Sequence, residues 1–241
     1  MSKIVICGGG PIGLCAAMML GRDGHRVTVL EADPADHPET PIGGWNSWNR
    51  PGVAQFRQPH SLHSRFRMIS DVELPGLTDG LLRAGCVWVD NLDSESLPPT
   101  ITDRAPRPGD EAMRCVAGRR PVIEWVVAAL AQNAPNVTIR RAAKVQSLIT
   151  GASAISGVPH VAGVSTTSGE RIVADLVVDA MGRRSPARRM DHRRGWPEPN
   201  RGGAGLQLRL LYAIFLKLPA TSQDGTYPYA DGAVLHFDAA W

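Results

Sequence analysis

The chain has 241 residues, 43% hydrophobic and 20% charged, a balance that builds a sizeable core and excludes an intrinsically disordered chain. Its net charge of +3 is too small to point to nucleic acid. No run reaches the ~20 consecutive apolar residues of a membrane span, and Cys7, Cys15, Cys86 and Cys115 lack zinc-site spacing, reading as reduced thiols of a cytoplasmic protein.

The apolar opening from Ile4 to Leu20 is broken by Gly8, Gly9, Gly10 and Pro11, where a signal peptide would be continuous. Lys3 to Cys7 is a short β-branched run and predicts a buried strand. Residues 8–13 form a tight turn. Pro11 to Arg22 is a helix with Gly21 and Gly24 at its C-terminal end. Arg26 to Leu30 is a second strand, with Glu31 at its tip. Residues 32–75 show no periodicity and predict a long functional loop region.

Leu77 to Ala84 reads as helix, and the proline-rich stretch from Asp90 to Asp110 as surface. Pro121 to Ala134 is amphipathic, with Val122, Trp125, Val126, Ala129 and Leu130 at helical spacing. Val137 to Arg141 is a strand. Lys144 to Ile149, Val161 to Thr167 and Arg171 to Val173 predict an antiparallel meander. Asp175 to Ala180 is a further buried strand, ending at Gly182. Leu206 to Leu218 and Ala233 to Phe237 read as strands.

The chemistry concentrates in Gly8-x-Gly10-x-x-Gly13. Gly8 permits the turn out of the strand, Gly10 leaves room for a pyrophosphate, and Gly13 lets helix and sheet pack closely. Pro11 and Ile12 complete the turn at a helix N-terminus, whose unpaired N–H groups favour phosphate. Glu31, 18 residues beyond Gly13, is placed to accept both ribose hydroxyls of an adenosine and to repel a 2′-phosphate. Strand, glycine turn, helix, strand and acid together predict a dinucleotide site. A classical NAD domain would continue in βα units. Here an irregular insertion, a helix and a meander follow, which favours FAD.

Four segments resemble the FAD-dependent monooxygenases similar to para-hydroxybenzoate hydroxylase. They are GGGPIG with Glu31, Asn49 to Val53 (NRPGV), Gly118 to Leu130 (GRRPVIEWVVAAL) and Ala174 to Arg188 (ADLVVDAMGRRSPAR). The resemblance implies FAD held by the glycine turn and Glu31. It implies Arg120, with Arg119 as competitor, near the pyrophosphate, and Arg50 as a further phosphate or ribityl contact. Val145 would approach the adenine through its backbone. Asp179 would bond a flavin hydroxyl near Gly182, where strand and loop approach the flavin. The family form has Asp directly before that glycine, whereas this chain has Met181.

The implied activity is oxygenation of a small apolar or aromatic substrate with O2, the flavin being reduced by NADH or NADPH. No catalytic base is named. Alternatives are a flavin-dependent halogenase or reductase on the same scaffold, or a degenerate non-catalytic nucleotide-binding remnant. The tryptophan–isoleucine–proline signature of such halogenases is absent from the sequence.

His60 and His63 lack a third ligand nearby, so no metal is expected. Trp45 and Trp48 suit an aromatic pocket or the anchoring of a long loop. Arg183 to Arg201 holds seven arginines and two acids and reads as a solvated face without nucleic-acid chemistry.

The expected fold class is α/β: a Rossmann-like FAD-binding domain over residues 1–185, with a βαβ start, a β-meander and an irregular insertion at about 40–115. Residues 186–241 would begin a β-rich substrate domain. A late glycine- and aspartate-bearing motif closing over the flavin is not found, so the chain is expected to be the N-terminal part of a longer flavoprotein.

Overall fold

The structure is a computed structural model and describes residues 1–186 apart from 54, 94, 96, 156–157 and 183–184. Apart from Pro186, the expected substrate-domain segment lies outside the described residues. So do its two strands and every arginine from Arg183 to Arg201.

A parallel sheet forms the centre. Strand β1 (Lys3–Cys7) is followed by α1 (Pro11–Arg22) and β2 (Arg26–Leu30). Val5 of β1 pairs with Thr28 of β2. On the other side of β1 lies the last described strand, β10 (Leu176–Asp179), with Val5 opposite Val177. Strand β6 (Val137–Arg140) flanks β2, giving the order β10-β1-β2-β6. A strand pairs through its backbone on both edges and buries both faces only if nearly every side chain is apolar. Ile4 and Ile6 enter one core, against α1 and α5 (Arg120–Gln132). Val5 and Cys7 enter the other, against the meander β7 (Val145–Ile155), β8 (Val158–Thr166) and β9 (Arg171–Val173). The period-2 alternation of β1 thus builds three layers: helices, parallel sheet, meander.

The insertion is more ordered than its sequence suggests. It contains α2 (Pro41–Asn46), β3 (Pro59–Leu62), α3 (Ser64–Glu73), α4 (Leu77–Arg83) and β4 (Val87–Val89). β5 (Cys115–Arg119) pairs antiparallel with both β3 and β4 in a second sheet. Of α3 only Ser70 is buried, which explains its faint apolar periodicity.

Two local expectations are refined. Gly21 stands in the last turn of α1 as expected, but for packing: a Cβ there would stand 2.5 Å from the Pro135 carbonyl oxygen, while Gly24, at φ +85°, follows the helix end. The first meander strand continues to Ile155, with register shifts against β8 that interrupt its alternation.

Candidate functional site

Helices α1 and α5 both lead into parallel strands, β2 and β6, so both N-termini lie at the C-terminal edge of the sheet. At that edge the glycine turn has three different constraints. Gly8 adopts φ +107°, and a Cβ there would stand 2.6 Å from the Ala180 oxygen. A Cβ on Gly13 would overlap the Gly8 carbonyl oxygen. Gly10 is the opposite case: nothing lies within 4 Å of its Cβ position. Gly8 and Gly13 are therefore required by the fold, while Gly10 faces open space. Pro11 takes the first helical position, where its missing N–H costs nothing. The amides of Gly10, Ile12 and Gly13 have no hydrogen-bond acceptor among the described residues, so they and the helix dipole face that space.

Behind the turn sits a buried ionic network. Glu31 is 8% exposed. Its Oε2 accepts from the Gly9 amide at 2.9 Å and from Arg50 Nη2 at 2.5 Å; its Oε1 accepts from the Asp33 amide at 2.9 Å. Arg50, 4% exposed, also donates through Nη1 to Glu124 Oε2 at 2.7 Å and reaches Asp33 through Nε at 3.4 Å. Glu124 is 2% exposed, and its other oxygen accepts from Arg120 Nε at 2.8 Å. Arg120 Nη1 lies 3.3 Å from His60 Nε2. An unbroken line of groups thus runs from Gly9 through Glu31, Arg50, Glu124 and Arg120 to His60.

Electrostatics decide what this line can do. Burial opposes the Arg50 charge most strongly, yet Glu124, Glu31 and Asp33 together raise its pKa above the ordinary value. Arg141, beside Glu31, Asp33 and Asp36, is shifted down, first by burial and then by Arg50. Its Nη1 and the Trp48 Nε1 are both buried without an acceptor among the described residues. The Arg141 guanidinium lies 5.8 Å from the Trp48 ring centre.

Each expected site residue now has a place. Gly8, Gly10, Pro11, Ile12 and Gly13 form the turn, and Glu31 and Arg50 meet directly beneath it. Arg120 joins them through Glu124, a residue the sequence did not single out. Its signal was the Arg120–Glu124 spacing of four on a helix face. A carboxylate offers about four acceptor positions. Three on Glu31 are taken by protein donors. About one position stays open while Arg50 is on Glu31.

Val145 is 6% exposed at the start of β7, two residues after Ala143, whose amide donates to the Glu31 carbonyl oxygen at 2.9 Å. Asp179, at the end of β10, spends its carboxylate locally on the Met181 amide and on Ser185 Oγ, at 2.9 and 2.6 Å. Gly182 follows at φ +75°. Arg119 has no carboxylate partner among the described residues and lies 4.6 Å from the Trp45 ring centre, with Arg57 at 5.6 Å from the same ring. Trp48 is a core residue, edge-on to His37 and Phe56. No group of three metal-ligating side chains occurs among the described residues. No described helix is long and apolar enough to cross a membrane. A groove of about 590 Å³ is lined by Asp36, His37, Thr138 and Arg141, among others.

No protein-family model matches the chain. A 38-residue stretch, 16% of the chain, is 47% identical to para-nitrophenol 4-monooxygenase of Pseudomonas sp. strain WBC-3, covering 9% of that protein. A 62-residue stretch, 26% of the chain, is 40% identical to the NAD-dependent dihydropyrimidine dehydrogenase subunit PreT of Escherichia coli K12, covering 13% of it. The fold matches that of PqsL, a probable FAD-dependent monooxygenase from Pseudomonas aeruginosa, with a TM-score of 0.50 and 16% identity over 73% of this chain and 41% of that one. The chain therefore spans less than half the length of each. The structural likeness establishes the mixed α/β fold shared with PqsL.

Proposed function

We propose that the chain carries the FAD-binding part of an FAD-dependent monooxygenase or closely related oxidoreductase of the para-hydroxybenzoate hydroxylase type. The observation that carries this reading is the open face at Gly10, walled by residues that cannot be other than small and fronted by unpaired amides. A Cβ there would fill a cradle of the kind a diphosphate occupies. The meander β7–β9, lying between β6 and β10 in the chain where an NAD domain would repeat βα units, supports FAD.

In this reading Gly10, Ile12 and Gly13 donate to the diphosphate, Glu31 orients the adenosine ribose, and the Ala143–Val145 backbone borders the adenine. Arg120 and Arg50 supply positive charge, and Arg119 with Trp45 stands at the same helix end. Asp179 and Gly182 close the turn after β10. Bound FAD supplies hydride acceptance and O2 activation; the chain binds, orients and excludes water. NADH or NADPH is the proposed reductant, and a small apolar or aromatic molecule the substrate.

Titration of the purified chain with FAD, followed by visible absorption, tests the reading. Uptake near one FAD per chain is expected, and a colourless protein that takes up none overturns it. Replacing Glu31 with Gln removes the ribose acceptor's charge and unbalances Arg50. FAD affinity is expected to fall at least ~10-fold, and stability by about 3 kcal/mol, the scale for a broken buried ion pair. Unchanged FAD affinity in that variant would refute the ribose assignment.

A further inference from the structure

We propose that Arg141 and the groove it lines form a second binding site, for a small organic acid whose carboxylate meets the guanidinium and whose apolar body lies against residues of β6. None of the groove's lining residues belongs to the glycine turn, and the proposal does not depend on the dinucleotide reading. Three observations carry it. The first is a cation without an acceptor. Arg141 is half-buried, yet it has no hydrogen-bond acceptor and no carboxylate within ion-pair distance among the described residues. Withdrawing a guanidinium from water without an acceptor is costly. Burial is the largest influence against its charge, and Arg50 adds to it. Glu31, Asp33 and Asp36 favour the charge, but Glu31 and Asp33 are hydrogen-bonded to Arg50, and Asp36 is exposed.

The second observation is that the chain fixes Arg141 where it stands. The Arg140 carbonyl oxygen accepts from the Glu31 amide at 2.9 Å, and the Ala143 amide donates to the Glu31 carbonyl oxygen at 2.9 Å. Between these two anchors Ala142 adopts φ +54°, a left-handed conformation that a residue with a Cβ rarely takes. The backbone is thus tied to the tip of β2 on both sides of Arg141, with little freedom to carry the side chain to an acceptor elsewhere. The third observation is the groove itself. Its volume of about 590 Å³ falls within the range of small-molecule pockets. Gln132 and Thr138 add hydrogen-bonding groups to its lining, and Val137 and Ile139 add apolar surface. A carboxylate matches the planar fork of a guanidinium. Asp36 shares the lining and opposes a ligand of higher negative charge, which favours a monocarboxylate over a phosphate.

Benzoate and benzamide share a ring and differ at the group that would meet Arg141, so the pair isolates the carboxylate. Binding of each to the full chain is followed by ligand-observed NMR, with thermal unfolding of every variant. Benzoate is expected to bind at least ~10-fold tighter than benzamide, the scale of a charge-assisted hydrogen bond. Arg141→Gln is expected to abolish that preference. Asp36→Asn is expected to strengthen benzoate binding about two- to fivefold by removing a like charge. A merely structural role would not move the two variants in opposite directions. Arg141→Lys keeps the charge without the fork; it serves if the Gln variant does not fold, and should bind benzoate at least ~3-fold more weakly than the wild type. Equal binding of benzoate and benzamide, unchanged benzoate affinity in the Arg141 variant, or no gain in Asp36→Asn overturns the site. Displacement of benzoate by ADP would make the groove part of the dinucleotide site. Displacement by inorganic phosphate as effective as by phenylacetate would make it a site for bare anions. Either result also overturns the proposal.

Discussion

Gly10 and Gly13 belong to one motif yet answer to different forces. Gly10 has ordinary backbone angles, φ −77° and ψ 173°, and open space around its Cβ position. Gly10→Ala should therefore change stability by no more than about 0.5 kcal/mol and cut FAD affinity sharply. Gly13→Ala forces a Cβ into the Gly8 carbonyl and should cost about 1–3 kcal/mol, the scale of overpacking. Chemical denaturation with FAD titration on the two variants checks the contrast; equal stability losses would contradict it. The cysteines are a second case. Burial pushes the Cys7 thiol up to about 12, with Asp179 adding to it, and pushes Cys15 to about 12 and Cys86 to about 11. All four are buried. A thiolate-directed reagent such as DTNB at pH 8 should label none in the native chain and all in denaturant. The glycines and Glu31 were legible because their geometry requires particular residue types. Glu124 was not, since a glutamate in an amphipathic helix ordinarily faces water.

Among the elements, α5 was legible to within two residues at each end, but its buried face is broader than the expected stripe: Ile123, Val127, Ala128 and Ala131 are buried, while Trp125, Ala129 and Leu130 are half-buried. Strands β3, β4 and β5 were not legible, being three to five residues long and held by pairing rather than by pattern. α5 also carries a pH-sensitive contact. His37 donates through Nε2 to the Trp125 carbonyl oxygen, 2.9 Å away. Its ring stacks on Trp125 at 5.2 Å. Burial is the largest influence and lowers its pKa below the ordinary 6.5; Arg141 adds to this, and the Trp125 hydrogen bond opposes it. The unfolded chain therefore binds the proton first. This contribution to stability is complete above pH 6.5 and is lost as pH falls through the lowered folded value. Melting temperature should drop on acidification from pH 8 to 5. Part of that slope should vanish in His37→Gln, and an identical slope would exclude His37 as a source.

For the whole molecule, the βαβ start and the meander were legible from hydrophobic pattern, and the structure adds their order in layers. A strand apolar on both faces needs cover on both sides; among the described residues α1 and α5, with side chains of the insertion, share the core of one face, and the meander shares that of the other. What the pattern could not convey was how charge is placed beneath the glycine turn. Arg50, Glu31 and Glu124 come from three distant parts of the chain and meet only after the layers close.

Strand β1 has one further consequence. Its neighbour on one side, β2, begins about twenty residues later, but its neighbour on the other side is Leu176–Asp179. On the ribosome, β1, α1 and β2 emerge together, while the far edge of β1 waits for nearly the whole described chain to be translated. Long-range pairing of this kind slows folding. The bare edge of β1, with Ile4, Val5 and Ile6 along it, is thus the segment a nascent-chain chaperone has most reason to hold.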